Sequence, residues 1–325
     1  MGRRKAPQPP APAASGPSKR RRKLDPPPAD CISTLPDDLL REIILLLPMK
    51  DGGRTQALAS RWRHLWRSIP LDLDCSDFLP HKNSLLTSLA LVSSVLSAHP
   101  GPGRRFCVPP LCPSATVDKW LRCVALDNLE ELDLGGKAGF LHQLLASTFR
   151  FSDTLRVASI TSYIIPDAAV EGLFFPRLKQ LGLVGVHVSE RSLHGLIAGC
   201  PSLESLAVRR GSGFCRLLIN SLTLRSIAVQ IAEPKLSTPP DLQFGELVIQ
   251  NAPSLERELE VMKFQIPAKI YNDKFLAQQH SKLQLEYKAS SGAQFHFTTA
   301  SYQQADWRSK HLHDFDLNDP FLGGF

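Results

Sequence analysis

A six-position frame, L-x-x-L-x-L, recurs through the middle of the chain and limits its fold more than any other feature. It reads Leu129-Leu132-Leu134, Leu178-Leu181-Leu183 and Leu203-Leu206-Val208. Looser copies keep the spacing at Leu155-Ala158-Ile160, Leu224-Ile227-Val229 and Phe244-Leu247-Ile249. Successive copies begin 26, 23, 25, 21 and 20 residues apart, the period of stacked strand-plus-helix units. One unit reads whole. Residues 178–183 predict a short strand, Ser189 caps a helix carrying Leu193, Leu196 and Ile197, and Gly199 stops it before Cys200-Pro201-Ser202-Leu203 leads onward.

A single unit of this kind cannot bury its own apolar side, so units stack into a curved parallel sheet with helices and loops outside, a leucine-rich-repeat solenoid expected over residues 128–254. Residues between the leucines then form a binding face, with Glu131, Asp133, Arg156, Lys179, Gln180, Glu204, Arg225 and Glu246 as candidate contacts. Their mixed signs favour a protein surface over a polyanion. The competing reading is another α/β fold whose buried strands share a leucine pattern.

The formal charge of +7 sits at one end. The first 24 residues hold eight basic residues and no acid, leaving thirty basic against thirty-one acidic in the rest. A basic nucleic-acid-binding face is therefore not expected on the body. Residues 1–29 are rich in Pro, Ala and Ser with almost no large apolar side chain, the composition of a disordered tail. Within it Lys19-Arg20-Arg21-Arg22-Lys23 suits an importin groove, which predicts nuclear, with some cytoplasmic, residence. A nonspecific RNA contact is the alternative use. No apolar run reaches the roughly 18 residues of a membrane span, so no membrane partner is expected. Seven scattered cysteines without a C-x-x-C pair read as reduced, mostly buried side chains.

Residues 32–73 predict three helices. Thr34 and Asp37 form a capping-box-like start with Pro36 in the first turn, and Pro48 ends the helix. Leu35, Leu39, Ile43 and Leu46 make one stripe, and Leu40, Ile44 and Leu47 an adjacent one. A second short helix is expected over 51–59 after an Asp51-Gly52-Gly53 break. A third carries Trp62, Leu65, Trp66 and Ile69 at i, i+3, i+4 and i+7. A unit of about 40 residues buries only about 60% of its chain surface, and leftover apolar helix surface implies a partner.

Leu35-Pro36-Asp37-Asp38-Leu39-Leu40, Ile43 through Pro48, and Ser60-Arg61-Trp62-Arg63-His64-Leu65-Trp66-Arg67-Ser68 resemble the F-box in its plant form. That resemblance implies an F-box over 30–73 docking on a Skp1-like adaptor and, through it, on a cullin/RING scaffold. Position by position it implies Leu35, Pro36, Leu39, Leu40, Ile43, Ile44, Leu47 and Pro48 as partner-facing or interface-supporting, and Trp62, Leu65 and Trp66 as core. The chain from 98 to 132, and the end around Gln278-Gln279-His280 and Ala289 through Phe297, resemble grass F-box/leucine-rich-repeat proteins with a C-terminal FBD region, here shortened, over 255–325. Residues 74–127 are expected to be a linker and a first irregular repeat.

Chemistry of its own is not expected. There is no P-loop, dinucleotide fingerprint or nucleophile elbow, and His311-Leu312-His313 offers no third ligand for a metal. No cofactor is expected. The implied function is the substrate-recognition adaptor of a ubiquitin ligase, its repeats binding an unknown substrate protein. The alternative is a scaffold that binds Skp1-like proteins without directing ubiquitination.

Overall fold

The computed structural model describes residues 34–78, 85–137 and 140–230, the strands 246–251, 262–266 and 295–299, and the isolated positions Gly2, Ile32 and Ala277. Helices α1 (Asp37–Leu46), α2 (Met49–Arg54) and α3 (Ser60–Ser68) form the N-terminal unit. The sharp turn after α1 comes from Leu47 and Pro48, both extended. Two expectations are corrected here. The N-cap of α1 is Pro36 itself, without a side-chain cap; the Asp37 carboxylate instead takes Arg61 of α3 at 2.6 Å. Nor do Gly52 and Gly53 break a helix. Both lie inside α2, whose first turn forms on the Pro48 carbonyl, and Gly52 is buried against Ile44.

Beyond this unit runs a nine-stranded parallel sheet. Its strands are β1 (Leu71–Asp74), β2 (Gly103–Val108), β3 (Glu131–Gly135), β5 (Val157–Thr161), β7 (Gln180–Val184), β9 (Ser205–Arg209), β11 (Ser226–Gln230), β13 (Met262–Ile266) and β14 (Phe295–Thr299), in that spatial order. A second row of short strands follows them. There β4 (His142–Gln143), β6 (Tyr163–Ile165) and β8 (His187–Val188) form one parallel sheet, and β10 (Arg216–Asn220) pairs with β12 (Glu246–Asn251). Helices α4 (Leu85–Ala98), α5 (Ser114–Leu121), α6 (Asp167–Val170) and α7 (Glu190–Ala198) complete the described helices.

The leucine frame explains the layering. Leu132 and Leu134 pair in register with Ala158 and Ile160, then Leu181 and Leu183, Leu206 and Val208, and Ile227 and Val229. All ten are buried in one core. The repeat reading is therefore correct for five of the six copies. The sixth is corrected: Leu247 and Ile249 lie on β12, which pairs with β10 in the second row rather than with β11, and Phe244 lies outside the described residues. Leu247 still enters the common core. A period-two pattern states that alternate residues are buried, not from which side of the core they enter.

The sheet also runs beyond both expected borders of the repeats. At the start, Leu71 and Leu73 of β1 and Phe106 and Val108 of β2 join the same core, so the segment expected as linker and first irregular repeat carries a full sheet strand. At the end, β13 and β14 extend the sheet into the segment read as FBD-like.

The expected unit around Ser189 forms as read. Ser189 Oγ accepts from Ser192 N at 3.2 Å, and α7 ends at Gly199. Gly199 has an ordinary φ of −71°. Its reason is space: a Cβ there would lie 2.5 Å from the Leu173 carbonyl.

Helical unit and solenoid meet at His99, within the segment read as linker. The ring is buried and meets Trp66 edge-on at 4.7 Å between centroids. Gly101 N–H donates to Nδ1 at 3.1 Å, so Nε2–H donates to the Trp66 carbonyl at 3.2 Å. Burial, and secondarily Arg67, hold this imidazole below the ordinary histidine range against the opposing pull of the Trp66 carbonyl.

Candidate docking surfaces

Helix α1 has two faces with opposite fates. Leu40 and Ile44 point inward onto Trp62, Leu65, Trp66 and Ile69, and these six form the core of the helical unit. Leu35 is partly buried against it. On the other face Leu39, Ile43 and Leu47 are 46%, 37% and 37% exposed, and Leu46 is 85% exposed. Pro36 and Pro48 are exposed at the two ends. Arg61 Nη2 also donates to the Leu35 carbonyl at 2.6 Å, and Arg41 bridges Asp38 and Ser68, so α1 is held on α3 by its polar margins.

The expected contacts therefore divide. Trp62, Leu65 and Trp66 are core, as read. Leu40 and Ile44, read as anchors for a partner, are corrected to core, since their side chains are consumed by the two tryptophans. Leu45 and Leu46, absent from the expected contact set, are exposed with the outer stripe. The signal was in the pattern: three consecutive leucines before a proline exceed what one side of three short helices can enclose.

The open face of the sheet carries the alternate residues. One register row runs Asp72, Arg105, Glu131, Val157, Gln180, Ser205, Ser226, and the next runs Asp74, Cys107, Asp133, Ser159, Gly182, Ala207, Ala228. Polar, partly exposed residues occupy the N-terminal strands, whereas Ser205, Ala207, Ser226 and Ala228 are small and buried. Of the expected contacts, Glu131, Asp133 and Gln180 lie on this face. Arg156, Lys179, Glu204 and Arg225 each immediately precede their strand and line its leading edge, each N–H bonded to the carbonyl of the one before from Glu130 onward. Pairing neutralises part of that edge: Arg156 with Glu130 at 4.0 Å, Lys179 with Glu204 at 2.8 Å. Glu246 lies in the second row on β12, away from both. Lys19, Arg20, Arg21, Arg22, Lys23 and the His311/His313 pair lie outside the described residues.

Burial raises several of the described thiols. Burial pushes Cys112 up to about 11 and Cys200 up to about 12, and burial followed by Asp133 raises Cys107 further. Among the described residues no group of three His, Cys, Asp or Glu side chains is placed to hold a metal ion, and no helix is long and apolar enough to cross a membrane. A cavity inside the repeats measures about 20 Å³ and is walled by Leu, Ile, Phe and Ala side chains with Thr148 and Ser159. Among the described residues two exposed faces stand out, one apolar and helical and one polar on a sheet.

Known families match both regions. The F-box domain matches residues 32–74, and the family described as FBD-associated F-box protein At5g56370, LRR repeats, matches residues 117–286. FBD-associated F-box protein At3g50710 of Arabidopsis thaliana is 29% identical over 248 residues, 70% of this chain and 54% of that protein. F-box/LRR-repeat protein 13 of the same plant is 31% identical over 196 residues, 57% of this chain and 42% of that protein. FBD-associated F-box protein At5g22730, also from Arabidopsis thaliana, is 30% identical over 232 residues, 67% of this chain and 45% of that protein. The chain thus spans about half the length of these relatives. A helical unit with an unspent apolar face is joined here to a leucine-rich sheet, and the chain belongs to the FBD-associated F-box/LRR-repeat family.

Proposed function

We propose that the chain is the substrate-recognition adaptor of a Skp1-cullin-F-box ubiquitin ligase. Its F-box docks on a Skp1-like adaptor through the outer stripe of α1, and the open face of the solenoid holds a protein client. The observation that carries this is the division of α1: Leu40 and Ile44 complete the internal core, while Leu39, Ile43, Leu46 and Leu47 remain exposed on one helix. Helix-in-groove docking uses such anchors. Catalysis comes from the ubiquitin-conjugating enzyme that the cullin and its RING partner recruit; the adaptor raises the local concentration of client.

Copurification of a Skp1-like adaptor tests the docking step. Leu39→Ala/Ile43→Ala/Leu46→Ala should weaken recovery by about tenfold or more, on the general cost of truncating buried interface anchors, while thermal unfolding stays close to wild type. Undiminished recovery would sink the reading. Leu40→Ala/Ile44→Ala is the wrong test, because it empties the core before it touches the interface. Finding cullin and ubiquitinated client in the same pulldown separates a ligase adaptor from a scaffold. We also propose that Lys19, Arg20, Arg21, Arg22 and Lys23 direct nuclear import, which predicts cytoplasmic retention when all five are changed to Gln.

A further inference from the structure

A cavity of about 320 Å³ opens where the helical unit meets the sheet. One wall is apolar, formed by Leu45, Leu46 and Leu47 at the end of α1 with Met49 and Ile69; the polar side carries Asp72, Asp74, Asp77 and Arg105. Asp72 is already paired with Arg104, so three carboxylates stand against two guanidiniums, and the surplus negative charge of that side rests on Asp74 and Asp77 beside Arg105. The register rows carry the acidity onward to Glu131 and Asp133. Nη2 of Arg105 is buried and has no hydrogen-bond partner among the described residues.

These features select the chemistry of an occupant. A long side chain with a cationic tip lays its methylenes on the leucine wall and its charge at the aspartates, as lysine and arginine do at apolar borders. A bare metal ion would use neither the apolar wall nor Arg105. A peptide supplies backbone carbonyls as well, and one of these answers the orphaned guanidinium nitrogen, whose isolation is costly. The cavity therefore fits a basic peptide.

We propose that its occupant is the chain's own segment Lys19-Arg20-Arg21-Arg22-Lys23. Charge complementarity is one reason and reach is the other. The chain joins the helical unit at Ile32, whose carbonyl takes the Leu35 N–H at 3.1 Å. The residues from Lys23 to Leu35 span up to about 40 Å when extended, whereas α1 rises only about 15 Å along its length. The tail thus reaches the far end of α1 with slack, and tethering places it there at an effective concentration on the order of millimolar. Bound, it covers Leu45 together with Leu46 and Leu47 of the docking stripe and withholds the import signal. Occupancy of the cavity by the tail does not depend on the docking reading, since its test contains no adaptor.

The test measures fluorescence anisotropy of a labelled peptide of residues 17–25 added to two full-length chains, the wild type and one with K19Q, R20Q, R21Q, R22Q and K23Q. The peptide should bind the Gln-substituted chain, weaken by about tenfold or more on raising salt from 50 to 300 mM as an ion-paired contact does, and bind the wild type at least about tenfold more weakly because the tethered copy competes. Asp74→Asn/Asp77→Asn on the Gln-substituted background should remove the binding. Asp74 also accepts from Ser76 N and Oγ at 2.8 and 2.5 Å, so a peptide carrying Glu at positions 20–22 provides a second loss that leaves the fold untouched. Equal affinity for the two chains, no binding to the Gln-substituted chain, or binding indifferent to the aspartates or to charge reversal would each overturn the proposal.

Discussion

The helical unit and the solenoid solve the burial of leucine differently. The F-box encloses six large side chains, two of them tryptophan. The solenoid core runs without a break from Leu71 to Leu247 among the described residues. Seven exposed large apolar side chains crowd between Ile32 and Leu58, whereas nine are spread from Leu85 to Leu222. A three-helix unit has too much surface for its volume and leaves one helix face unspent. A repeat hides its apolar side against the next repeat, so its open face is free to be polar. On the proposed adaptor reading, the first region supplies docking energy and the second selectivity.

That contrast breaks most visibly at α1. Leu40→Ala should destabilise the helical unit by about 2–5 kcal/mol, the usual cost of a fully buried leucine, while Leu39→Ala, one residue away, should stay within about 0.5 kcal/mol. Denaturant unfolding of the full chain measures both, and equal losses would erase the two-faced description. In the solenoid the corresponding weak point is a backbone approach rather than a cavity. Gly199→Ala puts a Cβ against the Leu173 carbonyl and should cost about 1–3 kcal/mol by overpacking, read as a lowered midpoint with Skp1-like adaptor recovery retained.

Gly53→Ala should act in the opposite direction. A Cβ there meets nothing within 4 Å, so replacing a helical glycine should add about 0.5–1 kcal/mol to the F-box. Smallest and most diagnostic is the junction. Because folding lowers the affinity of His99 for protons, the unfolded chain binds more protons below its ordinary pKa of about 6.5. Stability contributed by neutral His99 is therefore intact above that value and declines as pH falls below it. His99→Gln should flatten this part of the profile, measured as thermal midpoint between pH 7.5 and 5. A slope unchanged by the substitution would remove His99 from the junction's acid response.

Much of this arrangement was legible beforehand. The capped helix at Ser189, the tryptophan pair on α3 and five of the six leucine copies stand where their spacing put them, because each rests on local geometry that a period of 3.6 or 2 records. The candidate contacts on α1 were legible as a set but not as two sides. Six of the ten residues of α1 are Leu or Ile, in two adjacent stripes, and such a helix gives no sign of which stripe the core will take. Strands β1 and β2 were missed because Leu71-Asp72-Leu73-Asp74 and Arg105-Phe106-Cys107-Val108 carry alternation without the leucine frame.

Residue order alone determined that there would be an under-buried three-helix unit followed by stacked strands, since those follow from side-chain spacing along the chain. Only the tertiary structure decided that Leu40 and Ile44 turn inward, that Leu247 and Ile249 belong to the second row, and that Asp72, Asp74 and Asp77 gather beside the end of α1. The physical reason is common to all three. A periodic pattern specifies which residues leave water, whereas the neighbour that covers them is chosen by how separate elements pack.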